Sequence, residues 1–342
     1  MNTLVKFAVP ASLAVLLSAC GQSGTSTLPG GVQSQSQAHQ SAVVQSQAQF
    51  GKIADNRVFM PLAGHQSQVK HDLSGALDYG NGYVQHNPVI YVIYWGLTAK
   101  NCATEKGRTQ SCDPNNIRPT QESFLENVGG SNWQSTVTQY YDDINGNIND
   151  PTGQFVAQGL KGKKKIVECG VGSNCILDKS LPPISPTDHD IQIESEKLVN
   201  AFGSNENASY VVQTPYGHNE GGFGTSWCAY HGSFVYKGSN VAYTYMPYIP
   251  EAGGSCGANF VNKGQAGTLD GVTIVEGHEL EETQTDPVPP SGWYGSGGEI
   301  GDLCAWNPAT SNQPFGNNTT FPVQPLWSDV ANACTLTGPN GP

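Results

Sequence analysis

Charge is scarce in this chain. Of 342 residues only 13% are Asp, Glu, Lys or Arg, about half the share of an ordinary soluble domain, which excludes a coiled coil or a helical bundle built on Glu, Lys and Arg. Basic residues are scarcer still. Sixteen Lys and Arg stand against 28 Asp and Glu, a formal net charge of -12, so no cationic field exists to hold a polyanion and no nucleic-acid partner is expected. After the N-terminal stretch, no apolar run approaches the roughly 18 residues of a membrane span. No Cys-x-x-Cys pair and no internal repeat occur, which argues against a thiolate zinc cluster. What the chain has in quantity is glycine (41), proline (22) and cysteine (9), with 37% hydrophobic residues, enough over this length for one sizeable core or two small ones.

The first nineteen residues read as an export signal. A positive start from Met1 to Lys6 precedes an apolar stretch, Phe7 to Leu17, too short to cross a bilayer. The stretch ends Leu17-Ser18-Ala19-Cys20, which resembles the lipobox of bacterial lipoproteins and makes Cys20 the expected lipid-bearing residue. Residues 20–58, opening on a Gln/Ser-rich tract, read as a lipid-anchored linker. The expected location is the bacterial cell envelope, outside the cytoplasm, with the membrane as partner through the lipid. Residues 59–342 would then form one extracytoplasmic globular domain.

Eight further cysteines, Cys102, Cys112, Cys169, Cys175, Cys228, Cys256, Cys304 and Cys334, are an even set in an exported chain and suggest four disulfides, in an order that favours neighbours pairing. Asn87 to Gly96 is a β-branched and aromatic run bounded by Pro and Gly, a buried strand. Residues 119–141 suit two short helices hinged at Gly129-Gly130, and residues 187–202 a longer helix. Segments 209–214, 233–236 and 241–248 read as strands, and 142–150 as a hairpin or meander. A third helix starts with Asp270 as N-cap, carries Val272, Val275 and Leu280 as an apolar stripe, and stops at Asp286-Pro287. Irregular alternation of this kind predicts an α+β fold, a single disulfide-braced domain.

The third helix carries the chemistry. His278-Glu279-Leu280-Glu281-Glu282 has the form H-E-x-x-E, one residue away from the H-E-x-x-H of zinc peptidases, and suggests a zincin-like arrangement around this helix. Residues four apart share a helix face, so His278 and Glu282 are candidate ligands of one Zn2+ ion. Glu279 is the candidate general base, set to take a proton from water activated by the metal. Glu299, seventeen residues after Glu282, is the first candidate for a third ligand, and His231, three residues after Cys228, the second. Peptide or amide bonds are the expected substrate. The plainer reading makes His278 and Glu282 an exposed ion pair on a solvated helix face.

Other motifs are weaker. Glu279, Glu282, Glu299 and Asp302 allow a glycosidase reading, with Trp293, Tyr294 and Trp306 as sugar-stacking surfaces and a polysaccharide as substrate. Gly253 to Gly257 matches G-x-S-x-G without a following helix. Asp143, Asn145 and Asn147 echo a calcium loop, but Ile148 stands where its Gly is needed. Lys161 to Lys165 is the basic run, read as a solvated loop.

Tyr91-Val92-Ile93-Tyr94-Trp95-Gly96, Trp227 to His231, and Tyr245-Met246-Pro247 through Cys256 occur in an order that resembles the plant phosphate-induced, EXORDIUM-like proteins. Thr285-Asp286-Pro287 with Gly292-Trp293-Tyr294, Glu299 before Cys304, and Phe321 to Leu326 before Cys334 extend the likeness over roughly residues 85–336. The resemblance implies a secreted surface protein with a non-catalytic binding or structural role. The H-E-L-x-E-x-x-T-D-P segment departs from the plant pattern and is similar to bacterial relatives.

Overall fold

A computed structural model describes residues 56–64, 77–97, 113–142 and 174–338, together with the short backbone pairings at 104–105, 108–109, 146–147 and 167–168. The chain divides into two units, residues 1–51 and 52–342, and every described residue belongs to the second. Cys20, Cys102, Cys112, Cys169, Asp143, Asn145 and Lys161 to Lys165 lie outside the described residues.

The frame is a seven-stranded mixed sheet. In chain order its strands are β1 (Val58–Pro61), β2 (Val89–Trp95), β3 (Val167–Glu168), β4 (Cys175–Asp178), β5 (Ala208–Gln213), β6 (Trp227–Tyr236) and β7 (Ser239–Met246). Their spatial order is β1-β6-β7-β5-β2-β4-β3. The four central strands β7, β5, β2 and β4 run parallel, while β1, β6 and β3 join antiparallel at the sides. The helices are α1 (Ile117–Asn127), α2 (Asp188–Phe202) and α3 (Asp270–Thr285). Two hairpins close the fold, β8 (Ser311–Pro314) with β9 (Thr320–Val323), and β10 (Leu326–Ser328) with β11 (Ala333–Thr335). Among the described residues no helix is long and apolar enough to cross a membrane.

Strand β2 explains the layering. Tyr91, Ile93 and Trp95 point to one face, where they pack with Ile191, Leu198 and Val199 of α2. Ile90, Val92 and Tyr94 point to the other, into the core that holds α1 and α3. This period of two fills both faces because both are covered, as parallel sheets require. The fold is therefore mixed α/β with a sheet core and helices on both faces. The α+β expectation underestimated the parallel centre, because β2 and β5 pair across more than a hundred residues and no local pattern announces that contact.

Helix α2 begins as local chemistry dictates. Thr187 accepts from the Asp190 backbone N–H while Asp190 accepts from Thr187, a complete capping box. The expected pair of short helices is present as α1 and a 3-10 turn from Gln134 to Gln139, with Gly130 at φ 72° between them. Helix α3 departs from expectation at both its start and its surface. Leu269 holds the N-cap position, and Asp270 instead accepts from the backbone N–H of Val261 at 2.9 Å and of Asn262 at 2.6 Å. All 16 residues of α3 are buried, not a stripe of them. It lies between β6 and β7, helix α1, the 3-10 segment Ile249–Cys256 and strand β9, which leaves no side open to water.

Two described disulfides join neighbours in sequence order. Cys228–Cys256 ties β6 to the segment beside α3, and Cys304–Cys334 ties the 302–304 turn to β11. Cys175 is also disulfide-bonded.

Candidate metal centre

Three elements deliver the polar residues to one place. Helix α3 supplies His278, Glu279 and Glu282. Strand β6 supplies His231, which lies opposite Thr244 of β7; Thr244 in turn meets Thr283 of α3 at 3.4 Å, so this row of the sheet faces the helix. The turn after Gly298 supplies Glu299 and Asp302.

The distances are short. Glu282 Oε1 lies 3.1 Å from His278 Nε2 and Glu282 Oε2 lies 3.5 Å from His231 Nδ1. Asp302 Oδ1 is 3.5 Å from His278 Nε2, and Glu299 Oε2 is 3.5 Å from His231 Nε2. His231 Nδ1 also meets Glu279 Oε2 at 3.2 Å. Around a zinc ion with bonds of roughly 2.0–2.1 Å, tetrahedral ligands stand about 3.3 Å apart. The separations around His278 match that edge.

The approach is so close that it leaves no room for a side chain at position 301. A Cβ on Gly301 would fall 2.8 Å from His278 Nδ1 and 2.9 Å from Glu282 Oε1. Farther along, His278 Nδ1 lies 3.3 Å from Gln324 Oε1, and Gln324 Nε2 donates to the Gly301 carbonyl at 2.8 Å. Because that amide donates through its nitrogen, its oxygen is free to accept from Nδ1–H, and His278 Nε2 faces Glu282 and Asp302. A second residue orienting a ligating imidazole in this way is the usual support of a metal site.

Burial gives the arrangement its electrostatic character. His231, His278, Glu279 and Glu282 are all 0% exposed, so the exposed ion-pair reading of His278 and Glu282 is overturned. The described ion pairs of Arg57, Arg118 and Lys197 go to other acids. Burial pushes Glu282 up to about 7, with Asp302 adding repulsion, and holds Glu279 and Glu299 well above the usual carboxylate range. Burial and the nearby His278 lower His231 to about 3. Burial opposes charge on His278 too, but Glu282 and Asp302 overcome it and hold that imidazole well above its ordinary value. Buried acids without enough positive charge are costly unless protons or a cation neutralise them.

The chain matches no protein-family model, no curated protein and no solved structure. Its site therefore has to be read from its own geometry.

His278, Glu282, Glu299 and His231 converge, and two sets of three ligand atoms lie within 4.8 Å of one another: His231, Glu282 and Glu299, and His278, Glu282 and Asp302. Glu279 lies beside them, with its Oε2 at 3.2 Å from His231 Nδ1. Its carboxylate turns to His231 on the sheet. Two contributors escaped sequence reasoning as site residues of this kind. Asp302 was visible only as one more acid after Glu299, and Gln324 carried no signal, since its role depends on a strand end returning beside α3.

The remaining motifs are structural. Cys256 is bonded to Cys228 and Ser255 lies in a 3-10 segment, so no nucleophile elbow is formed. Trp293 packs with Tyr140 and Tyr141, and Trp306 with Phe260, while their ring nitrogens donate to the Tyr141 and Pro61 carbonyls. These rings are occupied by packing, which leaves them poor platforms for a sugar. Asp286 joins two motif segments by accepting from the Gly292 backbone N–H at 2.7 Å.

Proposed function

We propose that the protein is an exported, lipid-anchored metalloprotein of the cell envelope, related to the EXORDIUM-like proteins, whose core holds a divalent cation of the zinc type. One observation carries the reading: two imidazoles and four carboxylates meet in the interior, and His231 Nε2, Glu279 Oε1, Glu282 Oε2 and Glu299 Oε2 are buried without a hydrogen-bond partner. A native interior rarely leaves such atoms unmatched. Cation binding among them would answer such atoms and supply positive charge to the cluster of acids.

His278, Glu282 and Asp302 would hold the ion on the side nearer solvent, with His231 and Glu299 behind. Such an ion supplies Lewis acidity toward a carbonyl oxygen. In a hydrolase of zincin-like type, Glu279 would carry the proton, its carboxylate kept basic by burial and aimed by His231. Peptide or amide bonds are the substrate this chemistry suits. Asp302 is the opening, with 15% of its side chain exposed.

The complete burial of His231, His278, Glu279 and Glu282 favours a second reading, in which the ion braces a non-catalytic binding or structural protein. Closed coordination is the mark of structural zinc sites, and an open position that of catalytic ones. Elemental analysis of the purified full chain beside His278→Ala, followed by a general peptidase assay with and without chelator, separates the two. Metal with chelator-sensitive turnover supports the hydrolase. Metal without turnover, with a lowered melting temperature after chelation, supports the brace. Equal, near-zero metal in both proteins ends the metalloprotein reading.

A further inference from the structure

The ligand atoms fall into two sets that share a single carboxylate. Glu282 turns its oxygens in different directions, Oε1 to His278 Nε2 at 3.1 Å and Oε2 to His231 Nδ1 at 3.5 Å. Asp302 completes the set around His278, and Glu299 approaches the other ring nitrogen of His231, Nε2, at 3.5 Å; in each set one ligand atom from every residue lies within 4.8 Å of the others. One ion bound to Glu282 Oε1 would leave the atoms of the other set unanswered. A carboxylate with a different imidazole beside each oxygen is the arrangement that bridges paired ions, which stand about 3.5–4 Å apart in two-metal sites.

The unmatched atoms gather on the second set. His278 Nε2 of the first faces the carboxylates of Glu282 and Asp302, while His231 Nε2, Glu299 Oε2 and the bridging Glu282 Oε2 of the second are buried and lack a hydrogen-bond partner. Glu279 Oε1 is a further buried, unpartnered oxygen beside His231. Charge agrees with the geometry. Glu279, Glu282, Glu299 and Asp302 carry four negative charges when ionised, which two divalent cations balance and one does not.

Resting on the reading that the cluster binds divalent cations, we infer that it holds two, with Glu282 as the bridge. The outer position is formed by His278, Glu282 and Asp302 and the inner by His231, Glu282 and Glu299, with Glu279 at hand. The positions differ in access, since Asp302 reaches solvent while the side chain of Glu299 is 3% exposed and that of His231 0%. The outer ion exchanges readily and the inner ion slowly.

The test is stoichiometry. The full chain is stripped with a strong chelator, loaded with Zn2+, freed of excess, and its zinc-to-protein ratio measured. Two equivalents are expected, leaving in two separate kinetic phases when chelator is added. Asp302→Asn is expected to hold one equivalent and to lose the fast phase; His231→Gln is expected to hold one and to lose the slow phase. Each variant is checked by circular dichroism, and should His231→Gln not fold, Asp302→Asn decides, because its site lies at the solvent edge. One equivalent in the unaltered protein would overturn the paired site while sparing a single-ion centre. No zinc at all would overturn both. Two equivalents persisting in Asp302→Asn would place the second ion elsewhere and equally overturn the pairing.

Discussion

Replacing Gly301 by alanine tests the site's geometry without reference to any metal. The backbone of Gly301 is ordinary right-handed helical, φ -82° and ψ -42°, a conformation alanine adopts without strain. On that ground alone Gly301→Ala should stabilise by about 0.4–1 kcal/mol, through a less flexible unfolded chain. Space reverses the sign. The new methyl would stand 2.8 Å from His278 Nδ1, 2.9 Å from Glu282 Oε1 and 3.0 Å from the next His278 ring atom. Neither neighbour yields easily, since His278 lies in α3, buried on every side, and is flanked by Gln324. Overpacking of this kind costs about 1–3 kcal/mol, which at roughly 2 °C per kcal/mol for a unit of this size is a fall of about 2–6 °C in melting temperature. Gly254→Ala is the control, because a Cβ there meets nothing within 4 Å; it should leave the melting temperature unchanged or raise it. Thermal unfolding by calorimetry reads both. If Gly301→Ala melts at or above the parent temperature, the packing of the 298–304 turn on His278 and Glu282 described above is wrong.

Gln324→Leu removes the acceptor that orients His278 and should weaken zinc affinity by about 10–100-fold with little loss of fold, measured by competition with a chromophoric chelator. Burial pushes Glu122 up to about 7 in spite of Arg118; a raised carboxyl contributes stability that is full below its unfolded value and is lost as pH rises through 7. Glu122→Gln should therefore flatten the decline in urea midpoint between pH 5 and pH 8, and an unchanged slope would contradict the assignment. Opening the Cys304–Cys334 bond, which closes 30 residues, with a double alanine variant should cost about 3–4 kcal/mol on the chain-entropy model and loosen the turn bearing Asp302, so zinc affinity should fall along with the melting temperature. The Cys228–Cys256 double alanine variant, with 28 residues between the cysteines, should cost a similar amount.

Some of this was legible in the residues alone and some was not. The helical stretch at 187–202 and the hydrophobic run at 89–95 rest on patterns of a few residues, so local chemistry identified them. His278 and Glu282 could be paired from the helical period, and His231 and Glu299 could be named as partners from residue type and distance along the chain. The face each would occupy could not. The environment of α3 also escaped, because His278, Glu281 and Glu282 look like a solvated face by polarity. Glu281 is instead fully buried, and burial holds its carboxyl well above the usual range although the Gln284 side chain opposes that shift.

By itself the sequence determined which groups exist and what they can do: an imidazole and a carboxylate one helical turn apart, a second acid-rich turn downstream, and cysteines enough to brace the loops. The period of a helix is a local property, so that much needs no fold. Only the tertiary structure decided that α3 is enclosed on all sides, that β6 lays His231 beneath it, and that Asp302 and Gln324 come back to His278 from later in the chain. Those contacts join residues tens of positions apart, and what brings them together is the burial of the core around them, a sum over the whole domain that no short stretch contains.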